Sequence, residues 1–172
     1  MKLIHKPESC PPSYQRYLDL VPDDQQLIAH LQDILHETEE LVSSLSEEQL
    51  LYRYSEGKWT IKDILLHLVD CERVISYRAM RVARADKTNL PVFDVNSFVE
   101  HADATSRSAE SILNEMKAMR AASLALIDSF SDEALDRVGS ASNLPVSARL
   151  LANHICGHHI HHLNVIKEHY LK

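Results

Sequence analysis

Glycine occurs only three times in 172 residues, at Gly57, Gly139 and Gly157. Two-residue β-hairpins draw on Asn-Gly, Asp-Gly and similar turns, and neither dipeptide occurs in this chain. A glycine-rich phosphate loop is equally missing. The scarcity of flexible turn residues points to a nearly all-helical chain with few tight reversals.

The apolar periodicity agrees. Leu27, Leu31, Ile34, Leu35, Leu41 and Val42 approximate a 3.6-residue repeat, predicting a first helix over about 23–43. In KWTIKDILLHLVD, Thr60 is a good N-cap and Asp63 stands three residues on, as in a capping box. Trp59 before the cap and Ile64 in the first turn are placed for a hydrophobic staple, and this second helix extends to about Asp86. A third helix over about 105–130 buries Ile112, Leu113, Met116, Met119, Leu124 and Ile127. A fourth starts near Pro145 to Ser147 and reaches about Leu171. Four long amphipathic helices imply an all-α four-helix bundle. Its single domain spans 23–172, behind a Pro-rich, irregular N-terminal arm over 1–22. The segments VFDVNSFVEHAD, with one short helical turn, and SDEALDRVGSASNLPV read as connectors.

Composition bounds the function. A net charge of −7 disfavours nucleic acid as a partner, because neutralising phosphates calls for a basic face. Arg78, Arg81, Arg84 and Lys87 do cluster, and read as a solvated helix face. No apolar run approaches the roughly 18 residues that span a bilayer, and the start lacks the apolar core of a signal peptide. Cys10, Cys71 and Cys156 form no paired framework. A cytoplasmic location without membrane or nucleic-acid partners is the expectation.

The stretch HICGHHIHH, residues 154–162, concentrates five of the 11 histidines. On a helical wheel with His154 at zero, the apolar residues of this helix cover roughly 20° to 180°. His158 falls at roughly 40°, His162 at roughly 80° and His159 at roughly 140°, all within that arc. His154 and His161 lie at its polar edge. Two imidazoles at i, i+4 emerge from one face, a spacing that can clamp a metal or simply place two hydrogen-bonded core histidines. A third ligand must come from a facing helix, and His67 on the second helix is the best donor, with Cys71 one turn on as a soft neighbour. His159 reads as a packed or hydrogen-bonded core residue. Cys156 reads as packing, and Gly157, costly inside a helix, as a point of close helix contact.

Together KWTIKDILLHLVDCERVISYRAMRVARAD, LPVFDVNSF and ICGHHIHHLNVIKEHYL resemble the DinB-like superfamily, in particular its YfiT-like metal-dependent branch. The likeness runs from about Asp23 to Leu171. It implies an up-down-down-up four-helix bundle, commonly a homodimer, holding a divalent metal ion, zinc or nickel in many members, on three histidines. Carried onto this sequence these are His67, His158 and His162, the same i, i+4 pair and facing-helix donor that the helix positions single out. Two departures stand out: His159 replaces a common Glu, and His169 stands where Arg is frequent.

Three protein ligands leave positions open for water or substrate, the pattern of a catalytic site. Such a centre activates either water, for hydrolysis of a small molecule, or a low-molecular-weight thiol, for transfer to an electrophile; the resemblance makes both live. A zinc protease is disfavoured, because His159 stands where its general-base Glu would be, and no Gly-x-Ser-x-Gly supports a serine hydrolase. No general base is evident: Asp70 and Glu72 flank the His67 turn, and Asp94 and Asn96 lie on a connector able to cover the mouth. The competing readings are a non-catalytic metal-binding bundle, closed by Cys71 or His159, a dimeric stress-related scaffold, and a metal-free histidine switch.

Overall fold

A computed structural model describes residues 2–171. The bundle is built from α2 (Leu27–Ser43), α4 (Ile61–Ala83), α6 (Ala109–Asp128) and α8 (Ala148–His169). Shorter helices lie between and before them: α1 (Pro12–Leu18), α3 (Glu47–Leu51), α5 (Val95–Ala102) and α7 (Asp132–Asp136).

The side-chain bonds fix the order. Glu72 pairs with Arg120, Ser76 with Ser123 and Arg73 with Glu115, so α4 and α6 run parallel. Leu31 pairs with Arg120 and Glu39 with Lys117, so α2 opposes α6. His67 meets His158 while Trp59 meets Tyr170, so α8 opposes α4. The result is up-down-down-up, with both α2 and α4 packed on α6 and α8.

The expected start of α4 is present in detail. Thr60 accepts from the Asp63 amide, and the Asp63 carboxylate accepts from the Thr60 amide at 2.8 Å. Trp59 and Ile64 join one apolar cluster, as a staple requires. The first long helix begins at Leu27 rather than near Asp23, because Gln25 adopts a left-handed conformation (φ 65°) that stops helical propagation. Between α5 and α6 a 3-10 turn (Ala104–Ser106) intervenes, and Ser108 caps α6.

Two connectors hold more structure than periodicity revealed. The N-terminal arm is not wholly irregular: proline at the first position of α1 supplies a preset φ, and Tyr14 and Leu18 bury against α8. After α7 the chain forms an antiparallel hairpin, β2 (Val138–Ala141) and β3 (Leu144–Ser147), with β1 (Asn89–Leu90) added in parallel to β2. Its turn residues Ser142 (φ 55°) and Asn143 (φ 61°) both adopt the left-handed conformation of a type I′ turn without glycine. Asn89 braces them, accepting from the Asn143 amide and donating to its side chain at 2.7 Å. Among the described residues, no helix is long and apolar enough to cross a membrane.

Candidate metal centre

Helices α4 and α8 bring His67, His158 and His162 together. His158 Nε2 lies 3.2 Å from His67 Nε2 and 3.1 Å from His162 Nε2. Two imidazole nitrogens about 2.05 Å from a common ion are about 2.9 Å apart at a right angle and about 3.3 Å apart at a tetrahedral angle. The observed spacings fall between these limits. A ring nitrogen carries one proton or one lone pair, so His158 Nε2 cannot make a full hydrogen bond to both neighbours at once. A cation beside His158 would use the lone pairs that this arrangement leaves without protons, and neutral imidazole suits one; the compact group of potential ligands is His67, Cys71 and His158.

Burial keeps the donors neutral. Desolvation lowers His67 to about 4 and His162 to about 3, and drives His158 well below its ordinary value. Uncharged imidazole is the ligating form. Trp59 walls this group, its ring centroid 4.8 Å from that of His67 and 6.4 Å from that of His162. Tyr17, from α1, sets its edge against His154, His158 and His161.

Cys71 lies nearer than its weak sequence signal suggests. Its Sγ is 3.5 Å from His67 Nδ1 and, with His67 and His158, it forms a compact potential ligand group. Burial raises the Cys71 thiol to about 12, so without a cation it is protonated. Cys156 has the same raised value, about 12, and is fully buried as packing.

The three histidines line a cavity of about 410 Å³. Tyr14, Tyr17, Trp59, Ile75, Phe93 and Val95 supply its apolar walls, and Arg16, Arg78, His154 and His161 its remaining polar lining. The connector after α4 thus lines the cavity, through Phe93 and Val95 rather than through Asp94. Asp94 instead caps α5, accepting from the amides of Asn96 and Ser97. A larger depression, about 810 Å³, lies under the N-terminal arm and the hairpin and contains none of the three histidines.

The flanking carboxylates are committed elsewhere. Asp70 pairs with Arg73 at 2.9 Å, outside the cavity. Glu72 is buried and takes a two-pronged bond from Arg120 at 2.9 Å per contact. Arg120 also donates to His159 Nδ1 at 2.9 Å and to the Leu31 carbonyl. His159 therefore carries its proton on Nε2 and gives it to Thr38 Oγ1 at 2.8 Å, while Thr38 donates to the Ile34 carbonyl. This buried chain joins all four bundle helices. It makes His159 a packed, hydrogen-bonded residue, as expected, and disposes of it as a closing ligand.

The basic cluster on α4 does not behave as one solvated face. Arg81 does reach outward, to Asp86 and Tyr77. Arg78 is only 6% exposed and lines the cavity. Its position follows from helix geometry: 11 residues after His67 is about three turns, and returns to the same face within about 20°. His154, placed at the polar edge by the wheel, has its Nδ1 buried with no hydrogen-bond partner among the described residues.

Gly157 directly precedes His158 and meets the backbone of α1. A Cβ built there would stand 2.0 Å from the Tyr17 carbonyl oxygen. Only glycine lets α1 approach closely enough to place Tyr17 over the histidines.

The DinB superfamily model matches residues 30–166, which include all three histidines. This chain belongs to the DinB superfamily. A relative from Oceanobacillus iheyensis, provisionally named a metal-dependent hydrolase, is 24% identical over 86% of this chain and 85% of its own length. Another of the same provisional name, from Geobacillus kaustophilus, is 26% identical over 71% of each chain. The structure of YfiT from Bacillus subtilis, described as a probable metal-dependent hydrolase with an unusual four-helix bundle topology, superposes with a TM-score of 0.76. It is 18% identical, over 96% of this chain and 91% of YfiT, and shares the fold of this chain.

Proposed function

We propose that this protein is a divalent-metal enzyme whose ion, zinc or nickel, is held by His67, His158 and His162, and which acts on a small molecule. The observation that carries the reading is that the Nε2 atoms of His67 and His162 lie 3.2 Å and 3.1 Å from that of His158, in the lining of one cavity. The provisional naming of the relatives as metal-dependent hydrolases favours the same class. When bound, the ion supplies Lewis-acid activation of water or of a low-molecular-weight thiol near neutral pH. Hydrolysis and thiol transfer are the two reactions that follow.

The chain's own residues would then bind and orient. Trp59 and Phe93 give apolar contact, and Tyr17 narrows the entrance above His158. Among the described residues no carboxylate lines the cavity. The proton acceptors facing it are the imidazoles of His154 and His161, both lowered by burial and neutral at pH 7. The Glu72–Arg120–His159 chain holds α4 and α8 in register behind the ligands. The test is His162→Ala: metal content should fall while far-ultraviolet helix content stays near that of the parent. Panels of ester, amide and thiol substrates then separate the two reactions.

The proximity of Cys71 to His67 favours one second reading, a closed, non-catalytic site with a sulfur ligand. We extend the first reading to a homodimer, because Tyr77, Val92 and Phe98 expose large apolar side chains around the connector after α4. Light scattering on the purified chain tests that extension.

A further inference from the structure

The whole chain is acidic, at −7, yet its candidate metal cavity is lined by two arginines and no carboxylate. Arg78 is the more telling of the two. Buried arginines are ordinarily paired, because a desolvated guanidinium is costly on its own. Arg78 has no ion pair among the described residues. Its two hydrogen bonds, to the Pro91 carbonyl at 2.5 Å and to Ser142 Oγ at 3.4 Å, both leave from Nη2. Nε and Nη1 have no acceptor among the described residues. The side chain sits over the Phe93 ring, 5.4 Å from its centroid, which fixes the guanidinium beside the cavity wall. Its charge also acts on Tyr14, Cys71 and His154, three other lining residues.

His67, Cys71, Ile75 and Arg78 form one stripe along α4, with the histidine centre at one end and the guanidinium at the other. Arg16 lines the same cavity from an exposed position on α1, bonded to the Tyr17 hydroxyl at 2.6 Å. A guanidinium fork with free donors is matched to a planar carboxylate or a phosphate.

We propose that the cavity takes a small anionic substrate, its carboxylate or phosphate held by Arg78 and its reacting group presented to the three histidines. Arg16 draws the anion in from its exposed position. The identity of the reacting end rests on the metal-enzyme reading above; the anion site does not.

Trp59 is the chain's single tryptophan and lines the same cavity, so its fluorescence reports occupancy. The experiment titrates the full-length protein, as purified and again after chelator treatment, with succinate, inorganic phosphate and the neutral succinamide. The expected result is binding of succinate or phosphate at least about tenfold tighter than succinamide in both preparations. The stronger of the two anions names the oxyanion class. Arg78→Gln should abolish the preference, and the exposed Arg84→Gln should leave it unchanged. Arg78→Lys keeps the charge without the fork and should retain the preference with affinity weakened about tenfold. If Arg78→Gln fails to give native circular dichroism, the comparison of charged and neutral ligands on the parent chain and Arg78→Lys decides.

Equal affinity for succinate and succinamide, or a preference that survives Arg78→Gln, overturns the proposal. A preference lost on chelation but kept in Arg78→Gln places the anion on the metal, and overturns the role of Arg78 while upholding the metal. Anion preference in a protein that binds no zinc or nickel overturns the metal reading and upholds Arg78.

Discussion

His158 and His162 stand one turn apart on α8 with their Nε2 atoms 3.1 Å apart, both turned toward the His67 side chain of the antiparallel helix α4. Neither ring can reach this arrangement unless α8 is continuous through Gly157 and its register against α4 is fixed. Much of the surrounding structure serves those two conditions.

Gly157→Ala tests the close approach of α1 to this turn of α8. The added methyl meets backbone, the Tyr17 carbonyl oxygen at 2.0 Å and its carbon at 2.6 Å, so α1 must move away. The gain in helix propensity, about 1 kcal/mol, is outweighed by overpacking of up to about 3 kcal/mol. Thermal denaturation should show a net loss of stability. Trp59 emission should change with it, because the cavity that Tyr17 roofs would open.

Arg120→Met tests the register of α8 against α4. It strands the Glu72 carboxylate and the His159 Nδ1 acceptor in the bundle interior. Urea unfolding should report a loss of about 3–5 kcal/mol, the cost of breaking a buried pair from one side. The double variant Arg120→Met with Glu72→Leu should recover a large part of it, since no unpaired charge is left behind. A loss under about 1 kcal/mol in the single variant contradicts the register-holding role.

The metal-free protein should lose stability as pH falls. His67 and His162 are neutral in the fold, with values lowered to about 4 and about 3, against an unfolded value of 6.5. Below 6.5 the unfolded chain takes up protons that the folded chain refuses, so stability is full above 6.5 and declines from there toward about 4. The burial of His158 and His159 acts in the same direction. Denaturant melts of chelated protein between pH 7.5 and about 4.5 measure the slope, which should be positive with pH.

Cys71→Ser separates an open centre from a closed one. With three histidines as the protein ligands, cobalt-substituted protein should lack a sulfur-to-metal charge-transfer band, and Cys71→Ser should bind cobalt with unchanged stoichiometry. A strong near-ultraviolet band that disappears in the variant would make Cys71 a ligand and turn the account toward a closed site.

The bundle was legible because its signals are local. The capping box at Thr60 and Asp63, the apolar stripes and the i, i+4 spacing of His158 and His162 each lie within one helix. The hairpin was hidden because Ser142 and Asn143 take up a left-handed turn that glycine usually marks. It depends instead on Asn89, over 50 residues away in sequence. The same limit applies to Glu72, which reads as a candidate base beside a ligand until Arg120 is found across the parallel helix. Arg78 shares a sequence cluster with Arg81 and Arg84, and only the position of the Phe93 connector separates the buried cation from the exposed ones. Tyr17 has no periodic signal at all; Gly157, inside a helix otherwise made of larger residues, is its one trace.

The most direct measurement is elemental analysis of the untagged protein alongside the triple variant His67→Ala, His158→Ala and His162→Ala. About one zinc or nickel per chain is expected in the parent, and none in the variant. A parent that carries no metal and takes up neither zinc nor nickel, or a triple variant that keeps its metal, would contradict a three-histidine centre.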